Sequence, residues 1–211
     1  MDISFNGNSL TGVAIGNTSV NAVYCNGSLV FDKWIPLSFP NGNDKMPDNG
    51  NEYRGFKATG SSSLIYNSTY YHHYKSFNNN GDDCYTAEKS DTPYLFLKFP
   101  TEFEDSAIIT SIKVTGANNP GTAVSDYAQG GKIYLIKFGS DPKQQREEYS
   151  DFKIDSTPKT FSPKSAAINI QCGGVVFTSE KSTRAKYGNI TINFKLPWSK
   201  LNAWKQQYNI S

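Results

Sequence analysis

Five ring side chains stand in five consecutive positions, Tyr70-Tyr71-His72-His73-Tyr74. An aromatic face offers contact to the C–H groups of a sugar, and a phenol or imidazole edge can hydrogen-bond its hydroxyls. Tyr70, Tyr71, His73 and Tyr74 are therefore candidate glycan contacts. The competing reading is that alternate members of the run pack beneath a sheet. His72 and His73 are neighbours, so on an extended segment they point to opposite faces and do not share a metal. Downstream, Asn78-Asn79-Asn80-Gly81-Asp82-Asp83 gathers carbonyl and carboxylate oxygens around a glycine, chemistry that suits Ca²⁺. Asn78, Asn80, Asp82 and Asp83 are the candidate ligands. The run lacks the terminal Glu of an EF-hand, and an Asx-rich turn without an ion explains the same residues.

No constellation for catalysis is visible, and the chain is read as a non-enzyme with no cofactor beyond a structural Ca²⁺. Glu102 and Glu104 lie two apart near a strand end, a common surface spacing rather than a glycosidase pair. Gly130-Gly131 and Gly173-Gly174 are followed by no Lys-Ser/Thr and open no helix, so they read as turns or bulges. Cys25, Cys84 and Cys172 are odd in number and far apart, which favours reduced thiols over a disulfide framework or a zinc site. The first residues, Met1 to Gly7, carry no basic region and no apolar run, so no Sec signal is expected.

Something must position these groups, and the clearest pattern lies in the first 33 residues. Asn6-Gly7, Gly16-Asn17 and Asn26-Gly27 are dipeptides that tolerate positive φ, as two-residue hairpin turns require. Between them lie stretches rich in β-branched and aromatic residues, Asn8–Ile15, Thr18–Cys25 and Ser28–Lys33. The expectation is an antiparallel β-meander over residues 1–34. From Met1 to Phe31 its only charged side chain is Asp2. Soluble sheets usually guard their edges with charge, and a ribbon this short buries too little surface to stand alone. Either it packs on its own chain or other chains cover it. The second reading is favoured, with Phe5, Leu10, Val13, Ile15, Val20, Val23, Tyr24, Leu29 and Phe31 as the assembly residues.

Beyond Pro36 and Pro40 the chain reads as a larger β domain over residues 35–197. Strand candidates are Tyr94–Phe99, Ile108–Val114, Lys132–Phe138, Asp151–Ile154, Ala167–Gln171, Val175–Thr178 and Asn189–Leu196. In the last, Ile190, Ile192, Phe194 and Leu196 share one face. Lys143–Glu148 reads as a solvated loop. Residues 198–211 suggest a short helix capped by Ser199, with Leu201, Trp204 and Tyr208 on one face, docked on its own sandwich or facing a partner. The fold class is all-β: a meander, an antiparallel jelly-roll sandwich and a short C-terminal helix. With 21 Lys and Arg against 19 Asp and Glu, no broad basic surface points to nucleic acid. No apolar run reaches the roughly 18 residues needed for membrane insertion.

Two resemblances carry the reading further. The order His73 to Tyr85, Tyr94-Leu95-Phe96-Leu97-Lys98-Phe99-Pro100, Ile108 to Val114, Ile133 to Asp141 and Asn189–Leu196 resembles discoidin-like (coagulation factor 5/8 type C) domains. It departs from them at Phe77-Asn78-Asn79, where Phe-Asp-Gly is usual, and at Cys84-Tyr85, where a Trp stands. The resemblance implies a β-sandwich over about residues 54 to 197 and is compatible with a structural Ca²⁺ at the Asn-rich turn. Asn26-Gly27-Ser28-Leu29-Val30-Phe31 is similar to the N-terminal hairpin segments of bacteriophage virion proteins. That likeness implies a structural virion protein, made in the host cytoplasm, forming or decorating a fibre-like appendage on head or tail. Its partners would be further copies of itself as a homo-oligomer, capsid or tail proteins, and a host-surface glycan. The alternative is a free carbohydrate-binding module or bacterial adhesin.

Overall fold

The computed structural model describes the chain apart from residues 1–3, 6–7, 10–12, 16–17, 26–27, 82–83, 89–92, 118–125, 144–145, 181–183 and 211, and gives backbone alone for residues 4, 5, 8, 9, 13–15, 25, 30 and 146. Three hairpins open it: Ser4–Phe5 with Asn8–Ser9, Val13–Ile15 with Thr18–Val20, and Ala22–Cys25 with Ser28–Asp32. The Asn/Gly dipeptides expected as their turns, 6–7, 16–17 and 26–27, lie outside the described residues. Among the described residues the hairpins do not form the expected continuous meander: the two halves of each long stretch pair in opposite directions along the chain. Residues 8–9 pair backward with 4–5, while 13–15 pair forward with 18–20. The result is three separate two-stranded sheets.

Trp34–Phe39 then enters the sandwich as an edge strand, pairing with Asn189–Pro197. Pro36 is tolerated there because an edge strand has one side free of ladder bonds. Two antiparallel sheets face each other. One runs in the order Lys159–Phe161, Ala107–Thr115, Asn189–Pro197, Trp34–Phe39, with Gln171–Cys172 also paired to Ala107–Thr115. The other runs Arg146–Phe152, Gly131–Ile136, Gly174–Thr178, Tyr94–Lys98, Phe56–Gly60, Glu52–Tyr53. The strict alternation of Asn189–Pro197 buries Ile190, Ile192, Phe194 and Leu196, and Leu95, Leu97, Val175, Phe177, Ile133 and Leu135 meet them from the opposite sheet. The all-β class and the C-terminal helix are as the sequence implies.

Further expectations need correction. Arg146–Glu148 is part of an edge strand rather than a loop; Lys132 and Lys164 both bond the Glu148 carboxylate, so the charges of that strand are held at the sheet margin. Ala167–Gln171 is not a strand: a 3₁₀ turn at Ser165–Ala167 leads into the short pair at Gln171–Cys172.

The helix Trp198–Gln207 closes one end of the sandwich, docked on its own domain. Trp204 packs edge-on against Phe56 and Phe103, with centroids 6.0 and 5.7 Å away, and its indole N–H donates to the Arg54 carbonyl at 2.8 Å. Pro197, not Ser199, is the N-cap residue. The free N–H groups of the first turn are met from outside: Trp198 N–H donates to the Lys33 carbonyl at 2.8 Å and Ser199 N–H to Asp32 Oδ1 at 3.0 Å. Ser199 Oγ donates to the other oxygen of Asp32. A carboxylate at the base of the last hairpin thus caps the C-terminal helix.

Candidate functional site

Leading into the aromatic run is a small hairpin, Ile65–Tyr66 with Thr69–Tyr70. Its turn residues Asn67 and Ser68 both take positive φ, 47° and 62°, the geometry that matches strand twist in a two-residue loop. Its root is tied to the sandwich: Leu64 N–H donates to the Thr86 carbonyl and Tyr71 N–H to the Leu64 carbonyl. Thr86–Ala87 in turn pairs with Ala185–Lys186, just ahead of the long strand that starts at Asn189.

From this root the run alternates. Tyr70 lies outside and Tyr71 inside at 2% exposure, with the Lys75 ammonium over its ring. Buried in this way, Tyr71 has no face to give a ligand. His72 points out again and its ring lies between those of Tyr70 and Tyr74, at 5.1 and 5.2 Å with interplanar angles of 7° and 25°. His73 opens the 3₁₀ turn His73–Phe77 and goes inward, edge-on to Tyr85 at 5.6 Å. So the structure gathers Tyr70 and Tyr74 in one row, puts His72 between them, and sets Tyr71 and His73 beneath. The period-two spacing of positions 70, 72 and 74 was the signal in the sequence for His72.

The row rests on a rigid underside. Tyr85 stacks on Tyr187 at 5.3 Å, and Tyr187 continues to Phe152 at 6.1 Å. The Tyr85 hydroxyl donates to the Ser61 carbonyl at 2.8 Å. Burial raises the Tyr85 pKa above its ordinary value, so that hydroxyl keeps its proton. Burial lowers the pKa of His73, with the neighbouring His72 adding to the effect, and burial followed by Lys75 lowers that of His72. Both imidazoles are neutral at pH 7 and can exchange hydrogen bonds with hydroxyl groups. Because stacking covers the inner faces, the row offers a ligand its ends and its polar edges. Tyr70, with one face on His72, is still 49% exposed, and its cross-strand neighbour Ile65 is 54% exposed. Together they form an apolar step beside the polar edges.

At the Asn-rich turn, Asn78 is buried and its Oδ1 accepts from Asn80 N–H at 3.0 Å, while its Nδ2 donates to Asp48 at 3.3 Å. That is an Asx turn, in which the Asn78 side-chain carbonyl accepts from the backbone two residues on. Asn80 is exposed; Asp82 and Asp83 lie outside the described residues. Among the described residues no three His, Cys, Asp or Glu side chains cluster as metal ligands would. Glu104 pairs with Lys200 at 2.8 Å, and Glu102 lies beside Tyr208, whose pKa burial and then the charge of Glu102 raise. A cleft of about 370 Å³ opens near Leu135, Ile170, Gln171 and Cys172. Burial pushes the Cys172 thiol up to about 12, so it is no nucleophile at neutral pH.

Of the assembly residues, Leu10 lies outside the described residues and Phe5, Val13 and Ile15 are described by backbone alone. In the third hairpin the cross-strand pairs separate by face. Val23 stands opposite Phe31, which is 9% exposed, while Tyr24 stands opposite Leu29, at 59% and 41% exposure. Val20 is partly buried. One face of this hairpin therefore packs on its own chain and the other presents apolar groups to water.

No protein-family model and no curated protein matches the sequence. Among solved structures, the chain is similar to an F5/8 type C domain from Bacteroides fragilis, at 10% identity and TM-score 0.49 over 65% of this chain and 90% of that one. It is likewise similar to the family 32 carbohydrate-binding module of NanJ from C. perfringens, solved with galactose, at 12% identity and TM-score 0.49 over 74% and 99%. A third is the family 29 carbohydrate-binding module from Piromyces equi, at 12% identity and TM-score 0.39 over 77% and 88%. The ligands of those proteins are their own, and the chemistry of this chain is that of the ring row and its underside.

Proposed function

We propose that the protein is a non-catalytic glycan-binding protein whose contact surface is the row Tyr70, His72, Tyr74 with the Tyr70–Ile65 step. The observation that carries this is a half-exposed tyrosine held in a three-ring stack with the half-buried His72 and Tyr74, on a hairpin tied to the sandwich by backbone hydrogen bonds. A preorganised ring loses little freedom when a sugar settles on it. A glycan array on the wild-type chain and on Tyr70→Ala with His72→Ala tests it. Binding about tenfold weaker in the variant is expected, a difference of about 1.4 kcal/mol, with the thermal midpoint nearly unchanged because Tyr70 is a surface ring. Equal binding by both proteins would end the reading.

A second reading joins the first. The outward face of the third hairpin, Tyr24 and Leu29, and the absence of charge between Ile3 and Phe31 support assembly into multi-copy particles. We infer a structural protein of a phage virion, part of a fibre-like appendage on head or tail, in which many weak sugar contacts add by multivalency. A free carbohydrate-binding module or bacterial adhesin would instead be a monomer, and the particle mass in solution separates the two.

A further inference from the structure

The cleft beside Cys172 originates in a broken sheet margin. Lys159–Phe161 pairs with residues 112–114 of the long strand Ala107–Thr115, and Gln171–Cys172 pairs with residues 107–108. Between those short strands the chain leaves the sheet and makes the 3₁₀ turn Ser165–Ala167. The facing pair, Gly131–Ile136 with Arg146–Phe152, keeps part of its inner side open at that break. The space left is about 370 Å³, lined by Leu135, Lys137, Glu147, Ile170, Gln171 and Cys172 among others.

Strand alternation decides which charges enter it. Leu135 and Tyr149 belong to the core, so Lys137 and Glu147, each two positions away, fall on the same inner side. Leu135 stands opposite Glu147, which makes Lys137 a diagonal neighbour of that carboxylate, at a Cα separation of about 7–8 Å. Leu135 and Cys172 close the bottom at 2% and 1% exposure, and the open apolar wall is the half-buried Ile170. Lys137, Glu147 and Gln171 are exposed at the rim. Among the described residues, neither rim charge makes an ion pair or a side-chain hydrogen bond. Charges on the adjoining segments are engaged elsewhere. Lys132 and Lys164 hold Glu148, Asp105 accepts from Phe138 N–H at 2.5 Å, and Asp141 accepts from Lys143 N–H at 2.8 Å.

We propose that this cleft binds a free α-amino acid with an aliphatic side chain. Its carboxylate would meet Lys137, its ammonium would meet Glu147, and its side chain would lie against Ile170. Two uncommitted charges of opposite sign select a zwitterion. A neutral sugar would leave both without a charged partner, and an amino sugar would leave Lys137 so. The volume is at the small end of ligand sites, which suits a single amino acid. The cleft shares no residue with the Tyr70 row and stands or falls independently of it.

An NMR titration of the full chain with leucine tests the proposal, followed at the methyl groups of Ile170. Leucinamide, 4-methylpentanoate, glycine and glucosamine serve as comparisons. Saturable shifts at Ile170 are expected with leucine. Leucinamide and 4-methylpentanoate each lack one charge and should bind about three- to fivefold more weakly. Glycine, which has no aliphatic group for Ile170, should also bind more weakly. Lys137→Gln and Glu147→Gln should each weaken leucine binding by a similar factor with the circular dichroism unchanged, because both side chains lie at the rim. Lys137→Arg should restore it, and Tyr70→Ala should leave it as in the wild type. No shift at Ile170 with millimolar leucine, equal binding of leucine by the glutamine variants, or any of the four comparison compounds binding as tightly as leucine would each overturn it.

Discussion

His73 sits beneath the ring row with its Nδ1 buried and without a hydrogen-bond partner among the described residues, and burial lowers its pKa from 6.5. The unfolded chain then takes up a proton more readily than the folded one. The stability associated with this residue is fully present above about pH 6.5 and is lost as the pH falls below that toward the folded value. His72 acts in the same sense. Urea midpoints measured from about pH 7 down to about pH 5 should fall, and His73→Phe should flatten the slope; parallel slopes would exclude His73 as the cause. The thiols supply a second test at this scale. Cys84 and Cys172 are at 0% and 1% exposure, and that burial pushes the Cys172 thiol up to about 12. Iodoacetamide at about pH 8 should leave both unlabelled in the native protein and label both in urea, as read by peptide mass. Rapid native labelling would contradict that burial. The sequence showed that rings cluster at positions 70–74, but not which of them reach solvent. That choice follows from Tyr71 bonding back to Leu64, a contact set by the turn at Asn67-Ser68.

At the scale of elements, the C-terminal helix was legible from its ring spacing, while its cap was not. Asp32 lies 167 positions from Ser199, and no local pattern links them. Asp32→Ala should cost about 0.5–2 kcal/mol by chemical denaturation, the range for losing a helix cap. In the Ser199→Ala background the cost should be smaller, because the two share one interaction. Trp204→Ala removes a ring that touches Phe56, Phe103 and Tyr208 and should cost about 3–5 kcal/mol. A loss below about 1 kcal/mol would mean the helix is not seated as described. The strand Phe56–Gly60 escaped the sequence reading for a physical reason. Its residues Phe-Lys-Ala-Thr-Gly hold one β-branched side chain, and Gly60 lies where the strand runs close to its neighbour. A Cβ at Gly60 would lie 2.9 Å from the Tyr94 carbonyl. Asn189–Pro197, by contrast, is legible because every second residue enters the core.

At the scale of the whole molecule, sedimentation or light scattering of the full chain should give a mass of several copies. Removal of residues 1–31 should return a monomer with the sandwich intact by circular dichroism. A truncated chain that still assembles would move the interface elsewhere. Strand pairing in the first 33 residues was evident in the sequence, whereas the division of the described residues into three separate hairpins depends on which half of each stretch pairs backward. The sandwich sets two ends apart. Trp34 pairs with Pro197 at one end of the long strand, beside the hairpins and the helix. Asn189 opens its other end, just past the Ala185–Lys186 pair to which the Tyr70 hairpin is rooted. Eight residue steps of strand, about 26 Å, lie between. Copies gathered by their hairpins, in the assembly proposed above, would spread their stacked rings at the far tips, like florets on a common stem, free to meet many sugars of one surface at once.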